Sequence, residues 1–565
     1  MAKINWQKLL KTLNLKYFWI LALVLAIPAC LALFRHGFFP THDYIYVARI
    51  QQMFESLKAV QFPVRWVSGF RYGEPLYNFY APLPYYLGAL VHLMGFTYLT
   101  TAKILYALSF ALSGLTMYFL AKKFLQNWPS LAISVLYVYA PYRSVDIYVR
   151  GAMSEAWTFV FFPLIILFTI LLLEKFSKKI LGFLILSLAG LFLTHNILTM
   201  LFIPFYLIFC VFWLWKDRSW AFVKRISLAL GLGIGVAATY LFPAFLEKGF
   251  VQTQNLTQLY FNYIGHFVAL RQFIVPSWGY GASLWGPVDD MSFQVGLVHW
   301  SVFVLALGCA FVLFKKRKDR KIKVWSAAMA SLFIFSLFMQ HNRSTYIWQL
   351  IPPLGFVQFP WRFLALSVFF ITLGGIPAFY FLNKKISLWL SLMVIVLAVA
   401  VNIGYFKPDM YYDDSIDAHY VSVETLSVDS KLPKDYLPIW VKVIKEEKIT
   451  IPQILEGEVE ILNFQQKGTR IILTTKSFEG GTIEVPATFF PGWQARMDGQ
   501  KVETFAGDDL GLVAFKVPAG EHDIIIRFEN TPIRTISNLL SFLSLGVVFI
   551  FLIDTKDKIK LFKKI

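Results

Sequence analysis

His42 and Asp43 stand side by side in PTHDYIYVARIQQMFESLKAVQFPVRWVSGFRYGEPLYNFYAP (40–82), the first long polar stretch after a membrane-length apolar run. Charge at a lipid–water boundary is costly unless it has a use, so this stretch, which also carries Arg65, Arg71 and Glu74, is a candidate site of chemistry. A carboxylate at 43 held ionised at such a surface can take a proton from a hydroxyl or hold a cation; the plainer alternative is a helix cap. Tyr80, with Trp66, Tyr72 and Tyr77, offers flat rings for stacking on a sugar or a lipid headgroup, and equally for an aromatic belt. A second polar stretch, YRSVDIYVRGAMSEAW (142–157), supplies Arg143, Asp146, Arg150 and Glu155. If the chain turns over Gly151, Arg150 and Glu155 can pair, or the planar guanidinium can bind a phosphate. Thr194, His195 and Asn196 are the polar interruption of an otherwise apolar 180–215. Arg362 opens a later apolar run, where an arginine either snorkels to the interface or binds a phosphate.

The elements that must position these groups are membrane helices. The chain is 57% hydrophobic and 18% aromatic, with apolar runs recurring down its length, which a soluble core of this size does not need. Twelve spans are expected, over 17–34, 102–120, 130–142, 157–173, 180–194, 197–215, 226–245, 296–314, 324–340, 362–382, 386–405 and 535–553. The connecting segments 1–16, 121–129, 174–179, 216–225, 315–323, 383–385 and 554–565 hold 27 basic residues against five acidic ones. That asymmetry places them, and both termini, in the cytoplasm. It also accounts for the whole formal charge of +19, so no nucleic-acid partner is expected. Pro84 to Phe96 covers only about 20 Å of a roughly 30 Å hydrocarbon core and reads as re-entrant or interfacial. The first span, with its basic leader and no small-x-small cleavage site, reads as an uncleaved anchor. Cys30, Cys210 and Cys309 all fall inside spans, so no disulfide is expected in the exported parts.

The candidate residues then lie on outer loops 40–82, 142–157, 246–295 and 341–361 of a transmembrane domain covering 1–405. Tyr46 to Val60 has apolar residues at helical spacing and reads as an amphipathic helix in the interface, with Asp43 in its first turn. The THN triplet becomes the outer tip of a tight hairpin. Loop 246–295, with His266, Arg271, Asp289 and Asp290 among many rings, reads as an ordered but irregular cover. From 406 the period changes to two: EVEILNFQ, TRIILTTK, GTIEVPATFF, WQARMDGQKVETF, LVAFKV and HDIIIRFE, with turns at Lys-Gly, Glu-Gly-Gly, Asp-Gly and Pro-Ala-Gly. An extracytoplasmic all-β sandwich is expected over 406–530, followed by a final span and basic tail over 531–565. No cluster in it has metal-ligand or nucleophile spacing.

Taken together, HD at 42–43, FPVRW, GEPLYNFYAPLPYY, RGAMSEAW, LTHN, QFPWRFL, FFPGWQARMDGQ and VPAGEHDIIIRF resemble the GT-C-type integral-membrane proteins named for a 6-pyruvoyl-tetrahydropterin-synthase-related domain, over essentially the whole length. The resemblance implies a membrane glycosyltransferase. It would move a sugar from a polyprenyl-phosphate carrier to a glycan, lipid or protein acceptor of the cell envelope at the outer face of the cytoplasmic membrane. By that resemblance Asp43, Glu155 and His195 are the catalytic candidates, with Asp43 as base or acceptor-orienting acid. His42, Glu74, Tyr80, Arg150, Asn196 and Arg362 are the substrate-binding candidates, Arg362 suiting the donor phosphate. No Asp-Asp or Asp-Glu pair occurs in loop one, so a divalent metal is not expected, and nothing supplies the zinc-histidine site of the pterin enzyme. Two other classes stay open: a flippase for lipid-linked glycans, which calls for ionisable groups at mid-span, and a non-catalytic assembly factor, which does not require Asp43, Glu155 and His195 to converge.

Overall fold

The computed structural model describes residues 17–554 apart from 218, 287, 316–319, 423–424, 427–433 and 445–448. The basic leader 1–16, the middle of the 315–323 run and nearly all of the 554–565 tail lie outside the described residues.

Each of the twelve apolar runs is a helix, but they differ in length. Among the described residues, seven are long and apolar enough to cross a bilayer: Tyr98–Lys122, Met153–Glu174, Asn196–Leu214, Trp220–Leu246, Pro360–Tyr380, Lys384–Tyr405 and Pro532–Ile553. An eighth counts if Ile322–Phe338 and Asn342–Leu350, bent by 92°, form one broken span. Phe18–Phe34 and Leu297–Val312 are shorter apolar helices, and so is Leu83–Leu93, the run kept apart from the spans. Asn127–Val138 and Lys178–Phe192, with 12 and 15 residues, rise only about 18 and 22 Å. Side chains start several of these helices where the sequence places a capping residue: Thr97, Ser177, Ser219, Asn383 and Thr531 each accept a backbone N–H of the first turn.

The β-rich region joins into one seven-stranded antiparallel sheet rather than two separate sheets. Its strands are β1 Gln453–Lys467, β2 Arg470–Thr488, β3 Trp493–Met497, β4 Gln500–Val502, β5 Phe505–Ala506, β6 Leu512–Val517 and β7 Gly520–Phe528. They run β4-β3-β7-β2-β6-β5, with β1 on β2. The cause is Glu-Gly-Gly at 479–481, which does not turn the chain. Gly480, at φ +85°, bends one long strand instead, and a Cβ there would stand 2.9 Å from the Val517 carbonyl oxygen. Before the bend β2 pairs with β7, and after it with β6. Asp498-Gly499, both at positive φ, makes the tight β3–β4 hairpin that the dipeptide signals.

Loop one lies between the helices and this sheet. Trp66 is 1% exposed, with its ring 5.3 Å from Trp493 and 5.0 Å from Phe528. Below it, Arg65 donates to the Thr239 carbonyl at 2.8 Å and to Asn538 Oδ1 at 2.7 Å. Asn78 donates to Glu247 Oε2 at 2.7 Å, and Arg534 Nε and Nη2 reach the same oxygen at 3.0 Å each. This buried network ties loop one, the end of the 220–246 helix and the final helix together, so the site above it rests on three separated parts of the chain.

Candidate active site

Loop one enters the site as an extended strap. The His42 and Asp43 amides donate to the Val149 and Arg150 carbonyls at 3.0 and 2.9 Å. The strap fits because residue 151 is glycine: it holds φ +69°, and a Cβ there would stand 2.3 Å from the Asp43 carbonyl oxygen. The Asp43 carboxylate then reaches forward. Oδ1 accepts the Ile45 amide at 3.1 Å, and Oδ2 lies 3.5 Å from Arg49 Nη1, with 45% of the side chain exposed. The helix runs Tyr46–Lys58, so Asp43 precedes its first turn instead of lying within it; the Asx-type bond to Ile45 occupies that role.

Only part of the helix's polar side meets water, at Glu55 and Lys58. Tyr46, Val47, Ile50 and Met53 are buried as their spacing predicts, but Arg49 and Gln52 are buried too. Loop one folds back over them: the Arg49 guanidinium lies 4.1 Å from the Tyr80 ring centroid, and Gln52 Oε1 accepts the Gly69 amide. Arg49 is 4% exposed, yet its Nε and Nη1 have no hydrogen-bond partner among the described residues, the Asp43 oxygen being beyond good bonding distance. Glu74 is buried beside Arg71 at 3.5 Å. Burial pushes its carboxyl up to about 7 against the pull of Arg71 and Arg49. Tyr80 and Glu74 are thus grouped around Arg49. Asp435, from the segment ahead of the sheet, belongs to the same charge group; burial raises its carboxyl, and Arg49 opposes that.

The second charge centre forms around Glu155. Residues Val145–Val149 make a π turn, which swings Asp146 and Arg150 to the same side. Arg150 Nη1 lies 2.5 Å from Asp146 Oδ1 and 2.9 Å from Glu155 Oε2, and its guanidinium covers the Trp361 ring at 4.5 Å. The turn over Gly151 therefore does pair guanidinium and carboxylate. Tyr142, which sequence reasoning passed over, donates to Glu155 Oε1 at 2.5 Å. Burial, then the nearby Glu155 charge, lift the Asp146 carboxyl well above its usual range. Arg362 Nε lies 3.9 Å from Glu155 Oε2 without a hydrogen bond, while its Nη1 donates to the Val357 carbonyl and to Gln358 Oε1 at 2.7 and 2.8 Å. Arg143, of the same loop, is directed inward: it is fully buried, donates to the Ala156 carbonyl and Ser113 Oγ, and packs on Phe159.

His195 and Asn196 sit at the break between the 178–192 and 196–217 helices, where the hairpin tip was expected. His195 Nδ1 accepts the Leu198 amide at 3.0 Å, which leaves the ring proton on Nε2 in the neutral form. Burial lowers its pKa to about 3; Glu155 opposes this, while Arg362 and Arg150 add to it. Asn196 is exposed, but its amide is tied to protein: its Nδ2 donates to the Phe79 carbonyl at 3.1 Å, and its Oδ1 is bonded by the Tyr240 hydroxyl. His42 Nε2 meets the Tyr280 carbonyl at 2.9 Å, so the irregular 246–295 loop covers the strap, and burial lowers the His42 pKa. No group of three or more His, Cys, Asp or Glu positioned to hold a metal occurs among the described residues.

Residues 77–407 of this chain match the family described as the 6-pyruvoyl-tetrahydropterin synthase related domain, a membrane protein. The chain belongs to this membrane protein family. The matched span contains Tyr80, Arg150, Glu155, His195, Asn196 and Arg362, while the 42–43 strap and the sheet flank it. A protein of Lactococcus lactis subsp. cremoris (strain MG1363), described as uncharacterized, is 26% identical over 264 residues, which is 42% of this chain and 41% of that one. The chain thus spans under half the length of this curated relative. Among solved structures, the arabinofuranosyltransferase AftD from Mycobacteria is similar with a TM-score of 0.48 and 14% identity, covering 70% of this chain and 27% of that one. ArnT from Cupriavidus metallidurans bound to undecaprenyl phosphate is similar with a TM-score of 0.40 and 13% identity, covering 68% and 63%.

Proposed function

We infer that this family member is a membrane glycosyltransferase of the GT-C type, moving a hexose from a polyprenyl-phosphate-linked donor to a cell-envelope acceptor. The supporting observation is the arrangement at Arg150: its carbonyl fixes the Asp43 strap while its side chain fixes Glu155. Carboxylates from two loops are thereby tied to one residue, and two arginines, Arg49 and Arg362, keep nitrogens without a hydrogen-bond partner among the described residues.

In this reading Asp43, the more exposed of the two acids, accepts the proton of the acceptor hydroxyl, whose oxygen forms the new bond to the anomeric carbon. The bond from that carbon to the phosphate oxygen breaks, its electron pair leaves with the phosphate, and the configuration inverts. The departing phosphate needs its growing charge held more than it needs an acid. Arg362 and Arg49 have donors to spare for it, whereas Arg150 is already engaged by Asp146 and Glu155, so its role is to position Glu155 rather than to bind phosphate. Neutral His195 offers its Nε2–H to a substrate oxygen, and Tyr80 a ring face for the sugar. In the same reading the chain crosses the cytoplasmic membrane twelve times with both termini inside, the short helices included, and the sheet covers the outer face as a binding module.

The test uses the full-length protein in detergent. Mass spectrometry of co-purifying lipid should find a polyprenyl phosphate, and Asp43→Asn should lower sugar transfer at least ~100-fold while leaving that lipid and the melting temperature unchanged. Normal turnover by Asp43→Asn removes Asp43 from the chemistry, and a preparation that neither carries nor binds polyprenyl phosphate removes the donor.

A further inference from the structure

At the far end of the bundle a second cavity, of about 320 Å3, lies between Lys122, Lys123 and Gln126 on one side and Tyr380, Lys384 and Ser387 on the other. Its distance from the candidate active site can be read along one helix. Glu155 lies near the start of Met153–Glu174, and Lys123 Nζ holds Glu174 Oε2 at 2.8 Å near the cavity, 19 residues or about 28 Å away. Among the described residues, three lysines and no carboxylate line the space. Lys384 also begins a 19-residue helix, whose dipole adds positive potential there. The remaining walls are apolar, from Phe124, Phe379 and Leu382.

The surface leading away from the cavity narrows the choice of ligand. Ile386, Trp389, Met393 and Val396 follow one another down the 384–402 helix at three- and four-residue spacing, and each is more than half exposed. A stripe of that kind beside a cationic pocket suits a molecule with an anionic head and long apolar tails, while a free phosphate makes no use of the stripe. We propose that this cavity binds the phosphate headgroup of an anionic phospholipid, with the acyl chains lying along the 386–396 stripe. Basic pockets between membrane helices take such headgroups by charge, and a tryptophan at the level of Trp389 suits the interface. The site is separate from the transfer chemistry inferred above and does not depend on it.

The full-length protein is delipidated in detergent and titrated with phosphatidylglycerol, phosphatidylcholine or inorganic phosphate, with bound adducts counted by native mass spectrometry. Phosphatidylglycerol should bind at least ~10-fold more tightly than phosphatidylcholine, and the double substitution Lys122→Gln/Lys384→Gln should remove that preference. Lys122→Arg/Lys384→Arg should keep it, as should Lys175→Gln outside the cavity, and a melting curve of each variant checks that the fold is intact. Equal affinity for the two lipids, or a preference that survives the Gln pair, overturns the proposal. Retention of inorganic phosphate without any phospholipid preference overturns the lipid assignment.

Discussion

The Asp43 amide donates to the Arg150 carbonyl at 2.9 Å, and the Arg150 guanidinium stands 2.9 Å from Glu155. One residue therefore sets the spacing of two acids that lie more than a hundred positions apart in sequence. A scaffold of this sort places a reactive carboxylate through backbone bonds, with Oδ1 taken up by the Ile45 amide and Oδ2 left 3.5 Å from Arg49. Displacing the strap should then affect chemistry before it affects folding, since misplacement by about 1 Å can cost ~100-fold in rate.

Gly151→Ala tests that relationship. The new methyl would meet the Asp43 carbonyl oxygen at 2.3 Å in a left-handed backbone conformation. The strain amounts to ~1–3 kcal/mol, so the protein should still be made and melt a few degrees lower. Sugar transfer should fall ~100-fold, and wild-type turnover by this variant would disconnect the strap from the chemistry.

Arg49 carries a second prediction. A guanidinium that is 4% exposed with two nitrogens lacking a hydrogen-bond partner among the described residues is costly unless a ligand completes it. Arg49→Lys keeps the charge but loses the planar fork over Tyr80, and is expected to weaken polyprenyl-phosphate binding ~10-fold, with Arg49→Gln weaker still. Lipid titration by native mass spectrometry reads both, and equal affinities across the three proteins would assign Arg49 to structure alone.

Much of this site could be read from the sequence where the signal is local. The turn over Gly151, the break at His195, the helix near 46–58 and the Asp498-Gly499 hairpin each depend on residues within a few positions of one another. What escaped depends on distant partners. Arg49 looks like a solvent-side residue until loop one folds back to bury it, and Glu247 and Arg534, 287 positions apart, carry no shared motif. Glu-Gly-Gly was ambiguous for a different reason: two glycines permit a turn or a bulge equally, and the pairing of β2 with β6 and β7 decides for the bulge. Apolar run length gave the helices but not how far each rises.

The pH response of His195 gives a third prediction. An unfolded histidine takes its proton near pH 6.5, whereas in the folded protein burial holds this one off until about 3. Between those values the unfolded chain binds a proton that the folded chain does not, so the contribution to stability is complete above pH 6.5 and declines as pH falls toward 3. His195→Asn keeps an acceptor for the Leu198 amide but cannot titrate. Its melting temperature should fall less steeply than the wild-type value between pH 6.5 and 4, and parallel curves would show that His195 is not held neutral.

Glu247 and Arg534 carry the last prediction, on how the final helix is fastened. Both are almost fully buried, with two nitrogens of Arg534 on one carboxylate oxygen at 3.0 Å, Asn78 on the same oxygen and Thr531 Oγ1 on the other at 2.8 Å. Removing one partner strands a buried charge, so Glu247→Ala should cost ~3–5 kcal/mol and loosen loop one through Asn78. Replacing both together, as Glu247→Met with Arg534→Leu, removes the stranded charge and should recover most of that loss, because an apolar pair of similar volume can substitute for a buried ion pair. Thermal melts of the single and double variants decide the matter: a double variant no more stable than Glu247→Ala would mean that the hydrogen bonds to Asn78 and Thr531, rather than the charge pairing, hold the final helix against the site.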